Sequence, residues 1–303
     1  MWFKNLTAYR FTESFSLSPA DLERQLEPHA FRPCGKLAPF SCGWTAPLGR
    51  SASQLVHSSN GFMMICAAKE EKILPASVIN ELTGERIDEI EAREARRLRK
   101  KERDSIRDEV MDELLPKAFS HTRRTYAYID PKHGWLVVDA ATAKKAEELT
   151  GFLRKSIDSL LISPPATNER PATVMTRWLS ENSAPKDLTV EDECDLRSPE
   201  KEGGIVRCKR HDLYSPEIHS HLVAGKEAIK LALTWNDRLA FLLDENLGIK
   251  RLRFLDIIQD QAAEADTADD AAHFDVDFSI MSLELAAFLP RLLELFGGEK
   301  VQP

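Results

Sequence analysis

Apolar positions change their period several times along the chain, and each change predicts an element. Residues 1–10 are rich in aromatic and β-favouring side chains and predict a strand. Ser18-Pro19 supplies an N-cap serine and a proline at the first helical position; Leu22, Leu26 and Ala30 give the helix that follows one apolar face. Residues 32–60 carry proline or glycine at 33, 35, 39, 43, 47 and 49 and predict an extended loop with brief structure. Residues 62–68 (FMMICAA) are a continuous apolar run, the pattern of a buried strand.

From 77 to 115 the pattern shifts to alternating blocks of Glu, Asp, Arg and Lys with no proline and a single glycine, Gly84. Apolar residues recur sparsely, at Ile79, Leu82, Ile87 and Ile90 and then at Leu98, Ile106, Val110 and Leu114. That spacing predicts a long polar helix or a helix pair whose apolar stripe is too narrow for a globular core, so it projects and packs along one edge.

Past Pro116, residues 125–130 (TYAYID) and 135–140 (WLVVDA) flank Pro131-Lys132-His133-Gly134 and predict a hairpin. A helix follows over 141–160, with Ala146, Leu149, Leu153 and Ile157 on one face. Ser163-Pro164-Pro165 marks a boundary or rigid connector. Beyond it come a short amphipathic segment (174–179), a polar stretch, a strand with a basic end (203–211) and a second serine-proline helix start at Ser215-Pro216. Three β-rich runs, 228–235, 239–244 and 249–255, predict a meander. An acidic stretch within 256–277 reads as a solvated loop leading to a strongly apolar helix, 282–296, stopped by Gly297-Gly298. Strands, helices and hairpins mix in the α+β manner.

Composition narrows the classes. With 303 residues, 43% of them hydrophobic, the chain buries a real core and is not disordered throughout. No run approaches roughly 18 apolar residues, and the N-terminus lacks the basic-then-apolar layout of a signal peptide, so a soluble cytoplasmic protein without a membrane partner is expected. Five cysteines, odd in number and without a C-x-x-C pair, predict reduced thiols. There is no G-x-x-x-x-G-K-[ST], no G-x-G-x-x-G after a strand and no G-x-S-x-G, so neither a nucleotide cofactor nor familiar hydrolase chemistry is expected. His219 and His221 form an H-x-H pair, but on a helix they point to different faces, and no metal site is expected there. Asp266, Asp269 and Asp270 could hold Mg²⁺ as in a nuclease; a solvated acidic loop accounts for them better.

The net charge of -8 counts against a phosphate polymer as partner, but the cations are unevenly placed. Arg93, Arg96, Arg97, Arg99, Lys100, Lys101 and Arg103 fall in one window, opposed there only by Glu94 and Glu102. On a continuous helix Arg93, Arg96, Arg97 and Lys100 form one stripe able to follow a phosphate backbone. A solvated helix laced with i to i+4 ion pairs explains the same pattern. A second group, Arg207, Lys209 and Arg210 with His211, alternates along a predicted strand, and a third, Lys250, Arg251 and Arg253, lies on another. None has the recognition helix, zinc module or aromatic RNA-binding signature that reads bases, so contact would be with phosphates and tolerant of sequence. In Leu114-Leu115-Pro116-Lys117-Ala118-Phe119-Ser120, Phe119 reads either as a cap on the local core or as an exposed anchor for another subunit.

Taken in order, several segments resemble the recombination-associated protein RdgC family of proteobacteria: MWFKNLTAY (1–9), FRPCG (31–35), CAAKEEKILP (66–75), the block at 95–101, LLPKAFS (114–120), AKKAE (143–147) and 203–212. Residues 231–235, 250–254, 274–278 and 284–287 match as well, so the resemblance covers almost the whole chain. It implies a non-enzymatic cytoplasmic, nucleoid-associated protein that binds single- and double-stranded DNA with little sequence preference. It further implies a ring-shaped homodimer of horseshoe-shaped subunits around DNA, limiting RecA-promoted recombination, with a place in replication-fork repair. The implied subunit has a central α+β body (1–75, 120–163 and 228–303), a helical finger (76–119) and a smaller tip region (164–227). DNA-contact or ring-closure positions of the family fall on Arg96, Phe119, Arg210 and His211, with Lys117 adjacent. The family pattern has lysine where Arg210 stands and glutamine where His211 stands; arginine keeps the charge, whereas histidine makes that position pH-dependent. Arg93, Arg96, Arg97, Lys100, Lys117, Arg207, Lys209, Arg210 and His211 are therefore the expected DNA-binding set, with Phe119 in the dimer interface and the apolar helix 282–296 expected to add to the burial that holds the subunits together. A coiled-coil scaffold that uses 77–115 as an arm and does not itself bind DNA is the alternative.

Overall fold

The computed structural model describes residues 1–49, 52–200, 203–263 and 269–300. Along the chain run β1 (Thr7–Phe11), α1 (Pro19–Leu26), β2 (Phe40–Thr45), β3 (Val56–Ser59), β4 (Phe62–Lys72), α2 (Ala76–Glu94), α3 (Lys100–Leu114), β5 (Ser120–Asp130), β6 (Trp135–Val138), α4 (Ala143–Ser156) and β7 (Ile162–Ser163). Then follow α5 (Pro171–Glu181), β8 (Leu188–Arg197), β9 (Ile205–Lys209), α6 (Pro216–Val223), β10 (Glu227–Trp235), β11 (Leu239–Asp244), β12 (Ile249–Phe254), α7 (Asp256–Ala263) and α8 (Asp270–Glu294). The mixture is α+β, as the pattern predicts.

The first sheet has the order β2-β4-β5-β6-β1-β7, with β3 also pairing to β4. Both of its faces are buried, which explains the unbroken apolar run of β4. Met63, Ile65, Ile129, Leu136 and Val138 face α1 and α4, meeting Leu22, Leu26, Leu149 and Leu153. Met64, Tyr128, Trp135 and Val137 face the other way, into a larger core shared with α8 and the second sheet. The predicted Ser18 cap forms, its hydroxyl accepting the Asp21 N–H; Ser215 precedes α6 as predicted but its side chain caps no N–H, and Thr142 caps α4 by accepting the Lys145 N–H.

The second sheet, β12-β11-β10-β8-β9, is antiparallel throughout. Its strand β8 (LTVEDECDLR), between β10 and the edge strand β9, lies in the stretch that reads simply as polar, because its carboxylates mask the strand pattern until neighbouring strands supply cations. Residues 164–227, set apart by sequence as a tip region, thus place β8 and β9 in one sheet with β10, and Trp178, Leu196 and Ile218 in the larger core. An isolated bridge between Leu6 and Ile249 joins the two sheets.

Two expectations about the C-terminal part are corrected. Asp269 caps α8 by accepting the Ala272 N–H at 2.8 Å, and the helix runs on from Asp270 through Asp275 and Asp277 rather than forming a solvated loop. Asp275 bonds His57 at 3.0 Å, and buried Asp277 takes the Met1 amino group. Asp266 lies outside the described residues. The apolar helix is also no free interface: Phe278, Met281, Leu285, Phe288, Leu292 and Phe296 are buried within the subunit, so its hydrophobicity serves folding.

Phe288 packs edge-on against Phe241 (5.0 Å between centroids) and tilted against Trp235 (5.2 Å). Replacing Phe288 by alanine is expected to lower unfolding free energy by about 3–5 kcal/mol, measured by urea denaturation, because the two sheets cannot close the cavity; a loss below about 1 kcal/mol would contradict this placement of the core.

Candidate nucleic-acid interface

The charged window 93–103 is the turn of a helical hairpin. α2 ends at Glu94, Ala95 takes left-handed backbone (φ 51), and α3 starts at Lys100. The single-helix stripe of Arg93, Arg96, Arg97 and Lys100 is therefore corrected: Arg96 and Arg97 lie in the turn. The sparse apolar stripe is the reason, since only a chain folded back on itself covers it. Leu98, Ile106 and Val110 are buried against Ile87, Ile90 and Leu114 in a small core separate from the other two. Arg86 to Glu113 (2.9 Å), Arg107 to Asn80 (2.7 Å) and Arg103 to Glu91 (2.9 Å) tie the antiparallel helices together.

Within the tip, Arg96 is not free. Its Nε donates to Glu94 at 2.8 Å, and its Nη1 and Nη2 grip Glu102 at 3.1 and 2.7 Å. Glu102 also accepts the Arg99 N–H (2.7 Å), and its carboxyl is held down to about 2 by Arg96 first and that amide second. Among the described residues no carboxylate pairs with Arg93, Arg97, Arg99, Lys100 or Lys101, so the tip presents a convergent group of exposed cations.

The second and third basic groups, far apart in sequence, meet in one place. β9 and β12 are opposite edges of the second sheet, yet Glu193 of β8 receives both Lys209 (3.7 Å) and Arg251 (2.8 Å). The sheet therefore curls, leaving an open trough of about 1200 Å³ lined by Lys4, Lys209, Arg210, Arg251 and Arg253 together with Glu191, Asp192, Glu193 and Asp237. Arg207 and Lys209 share the exposed face of β9 as the alternation predicts, but each reaches an in-sheet carboxylate: Arg207 lies 3.8 Å from Asp195, which also holds Lys230 at 2.6 Å. Lys4, Arg210 and Arg253 have no such pair among the described residues. Arg210 and Arg251 both hold left-handed backbone (φ 54 and 52), an uncommon conformation for a bulky residue. Lys4 and Arg253 are additions to the sequence-derived set. Arg253 was visible as part of a basic strand, whereas nothing local to Lys4 signals that its carbonyl pairs with Leu252.

His211 sits beside this trough. The Asp212 carbonyl at Nδ1 (2.9 Å) and Glu217 near Nε2 (3.2 Å) raise its pKa above the ordinary imidazole value. Lys117 and Phe119 lie elsewhere, where the hairpin rejoins the first sheet. Lys117 ends a 3-10 turn and is exposed. Phe119 is 85% exposed, which excludes a core-capping role in the subunit, while its carbonyl accepts the Ile73 N–H at 2.7 Å. Exposed Ile73 and Phe40 are borne on the adjoining strand ends, so Phe119 belongs to an apolar patch.

Among the described residues, no group of three His, Cys, Asp or Glu side chains could hold a metal ion, and no helix is long and apolar enough to cross a membrane.

A family model described as "Putative exonuclease, RdgC" matches residues 1–299. The chain is 45% identical over 302 residues to the recombination-associated protein RdgC of Tolumonas auensis, covering all of both chains. It is 46% identical over 300 residues to that of Aeromonas hydrophila and 44% identical over 302 residues to that of Pseudomonas aeruginosa, each across 99% of both chains. The relatives' names record an association with recombination and no enzymatic activity. On a match that runs the length of the fold, the chain belongs to the RdgC family of recombination-associated proteins.

Proposed function

We propose that this protein binds single- and double-stranded DNA without reading sequence, as a ring-shaped homodimer that encircles the duplex and limits RecA-promoted recombination, in the cytoplasm with the nucleoid. The observation that carries the reading is the cluster of exposed cations on the hairpin tip, Arg97 and Arg99 in the turn with Arg93 at the end of α2 and Lys100 and Lys101 at the start of α3, spread over a tip rather than along one helix face able to enter a groove. Such a group meets phosphates and releases counterions but makes no set of base contacts. Arg210, His211 and the rim of the trough extend the same chemistry, Arg207 and Lys209 contributing a charge already shared with in-sheet carboxylates. Two-fold symmetry doubles each cluster around one opening. The finger (76–119) is taken as the element that closes the ring through Phe119, with Lys117 beside it.

Nothing in the mechanism requires cleavage. A closed ring impedes dissociation while it allows sliding, and a recombinase filament must compete for the same DNA. The scaffold alternative loses support in the fold, because Ile87, Ile90, Leu98, Ile106, Val110 and Leu114 of the 77–115 stripe pack together inside the hairpin, and only Val78 and Leu82 near the start of α2 stay exposed.

The test is retention. After a high-salt wash the protein is expected to stay on closed circular duplex and to leave the linear form; equal loss from both would sink encirclement. Phe119→Ser is expected to reduce this retention and the dimer mass measured by analytical ultracentrifugation, while changing subunit stability by no more than about 0.5 kcal/mol, as for an exposed side chain. An unaltered dimer would remove Phe119 from the interface.

The raised pKa of His211 sets the sign of a pH effect. The cationic form is fully present below the ordinary value near 6.5 and is lost as pH rises through the elevated folded value. Duplex affinity should fall between about pH 6 and pH 8 by less than about tenfold, one phosphate contact's worth, and His211→Gln should flatten that component. An unchanged pH profile in the variant would place His211 away from DNA.

A further inference from the structure

Two carboxylates close around one guanidinium at the hairpin tip, and a third braces the turn beside it. Arg96 spends Nε on Glu94 and both terminal nitrogens on Glu102, an arrangement in which a phosphate must displace two anions before it reaches the side chain. Glu102 at the same time holds the N–H of Arg99, the residue that precedes and caps α3, and Glu91 holds the Leu98 N–H at 2.7 Å together with Arg103. Leu98 is buried beneath the turn, so the five residues from Ala95 to Arg99 are fixed from above by ion pairs and from below by an apolar anchor. A single exposed ion pair contributes little. Here, however, one carboxylate joins a bidentate fork to a backbone amide, and the fork is a geometry that lysine cannot reproduce.

We propose that Arg96 is a positioning residue: by clasping Glu94 and Glu102 it holds the tip in the shape that directs Arg97, Arg99, Lys100 and Lys101 outward, and it does not itself contact phosphate. The proposal rests on the reading of the tip as a phosphate-binding surface, but its structural half stands without DNA. It reverses the expectation that a basic residue at this position acts through its charge. It also gives Glu102 a supporting role, although that side chain carries the same sign as DNA.

The experiment uses the full-length protein and three variants, Glu102→Ala, Arg96→Lys and Lys100→Ala. Amide hydrogen exchange at Leu98 and Arg99 is followed without DNA, and binding of a fluorescent duplex is titrated across a salt series. With the clasp broken, Glu102→Ala should exchange those two amides on the order of tenfold faster while the middle of α3 stays protected. It should also bind duplex more weakly, by roughly three- to tenfold, although it has lost a negative charge that would repel phosphates. Arg96→Lys should behave like Glu102→Ala, with the logarithmic salt slope near that of the unaltered protein, whereas Lys100→Ala should lower the slope by about 0.9, one phosphate contact. Tighter binding by Glu102→Ala, unaltered affinity of Arg96→Lys, or a slope reduced by about 0.9 in Arg96→Lys would overturn the proposal and make Arg96 a direct contact. If the unaltered protein failed to bind duplex, the DNA reading would fall on its own, and the exchange rates would still decide the clasp: unchanged protection in Glu102→Ala overturns it.

Discussion

The fold depends on finding cover for α8. A 25-residue helix that buries a broad apolar face, from Phe278 and Met281 through Phe288 to Leu293, needs a long apolar surface to lie against, and the two sheets together supply it. Its polar residues are equally committed. Buried Glu284 accepts a fork from Arg238 (both contacts 2.7 Å), and Arg291 grips Asp187 at 2.8 and 3.0 Å. Both partners belong to the second sheet's connections, at the β10–β11 turn and ahead of β8. Arg291 is thereby held still more firmly in its cationic form, first by Asp187. These clamps fix how the second sheet sits on α8, and hence where its curled outer face presents the trough.

The same commitment of charges reorganises the electrostatic picture. A net charge of -8 looks hostile to DNA, yet much of the acidity is spent inside the subunit: Asp277 is buried, Asp275 bonds His57, Glu284 and Asp187 hold arginines, and Glu193 and Asp195 pair with cations of neighbouring strands. Among the cations left without such partners, Arg93, Arg97, Arg99, Lys100 and Lys101 cluster at the hairpin tip, and Lys4, Arg210 and Arg253 line the trough. Local field, rather than the total, decides what a surface attracts.

Elements whose signals are local were legible in the sequence. Ser18-Pro19 and Ser215-Pro216 announced their helices, the β5–β6 hairpin followed from a four-residue turn, and the β10 to β12 meander followed from three apolar runs. What could not be read depended on contacts between distant segments. β8 looks like a polar stretch until Lys230, Arg207 and Arg251 arrive to neutralise it. The apolar 282–296 run could equally have served a partner, and only its burial against Trp235 and Phe241 assigns it to the core. At the candidate site, composition identified the basic window correctly, but the helical period misplaced its residues, because the need to bury Leu98 breaks the helix at Ala95. The convergence of Lys4 and Arg253 with Lys209 and Arg210 across a curled sheet had no signature at all in local sequence.

The central claim is that clustered surface cations make this protein a sequence-independent binder of DNA. It is tested most directly by equilibrium binding to two duplexes of unrelated sequence across a range of salt. Affinity should be the same for both and should fall on the order of 10³-fold between about 50 and 200 mM salt if about six phosphates are neutralised. Binding that is indifferent to salt, or that prefers one sequence strongly over the other, would contradict the account.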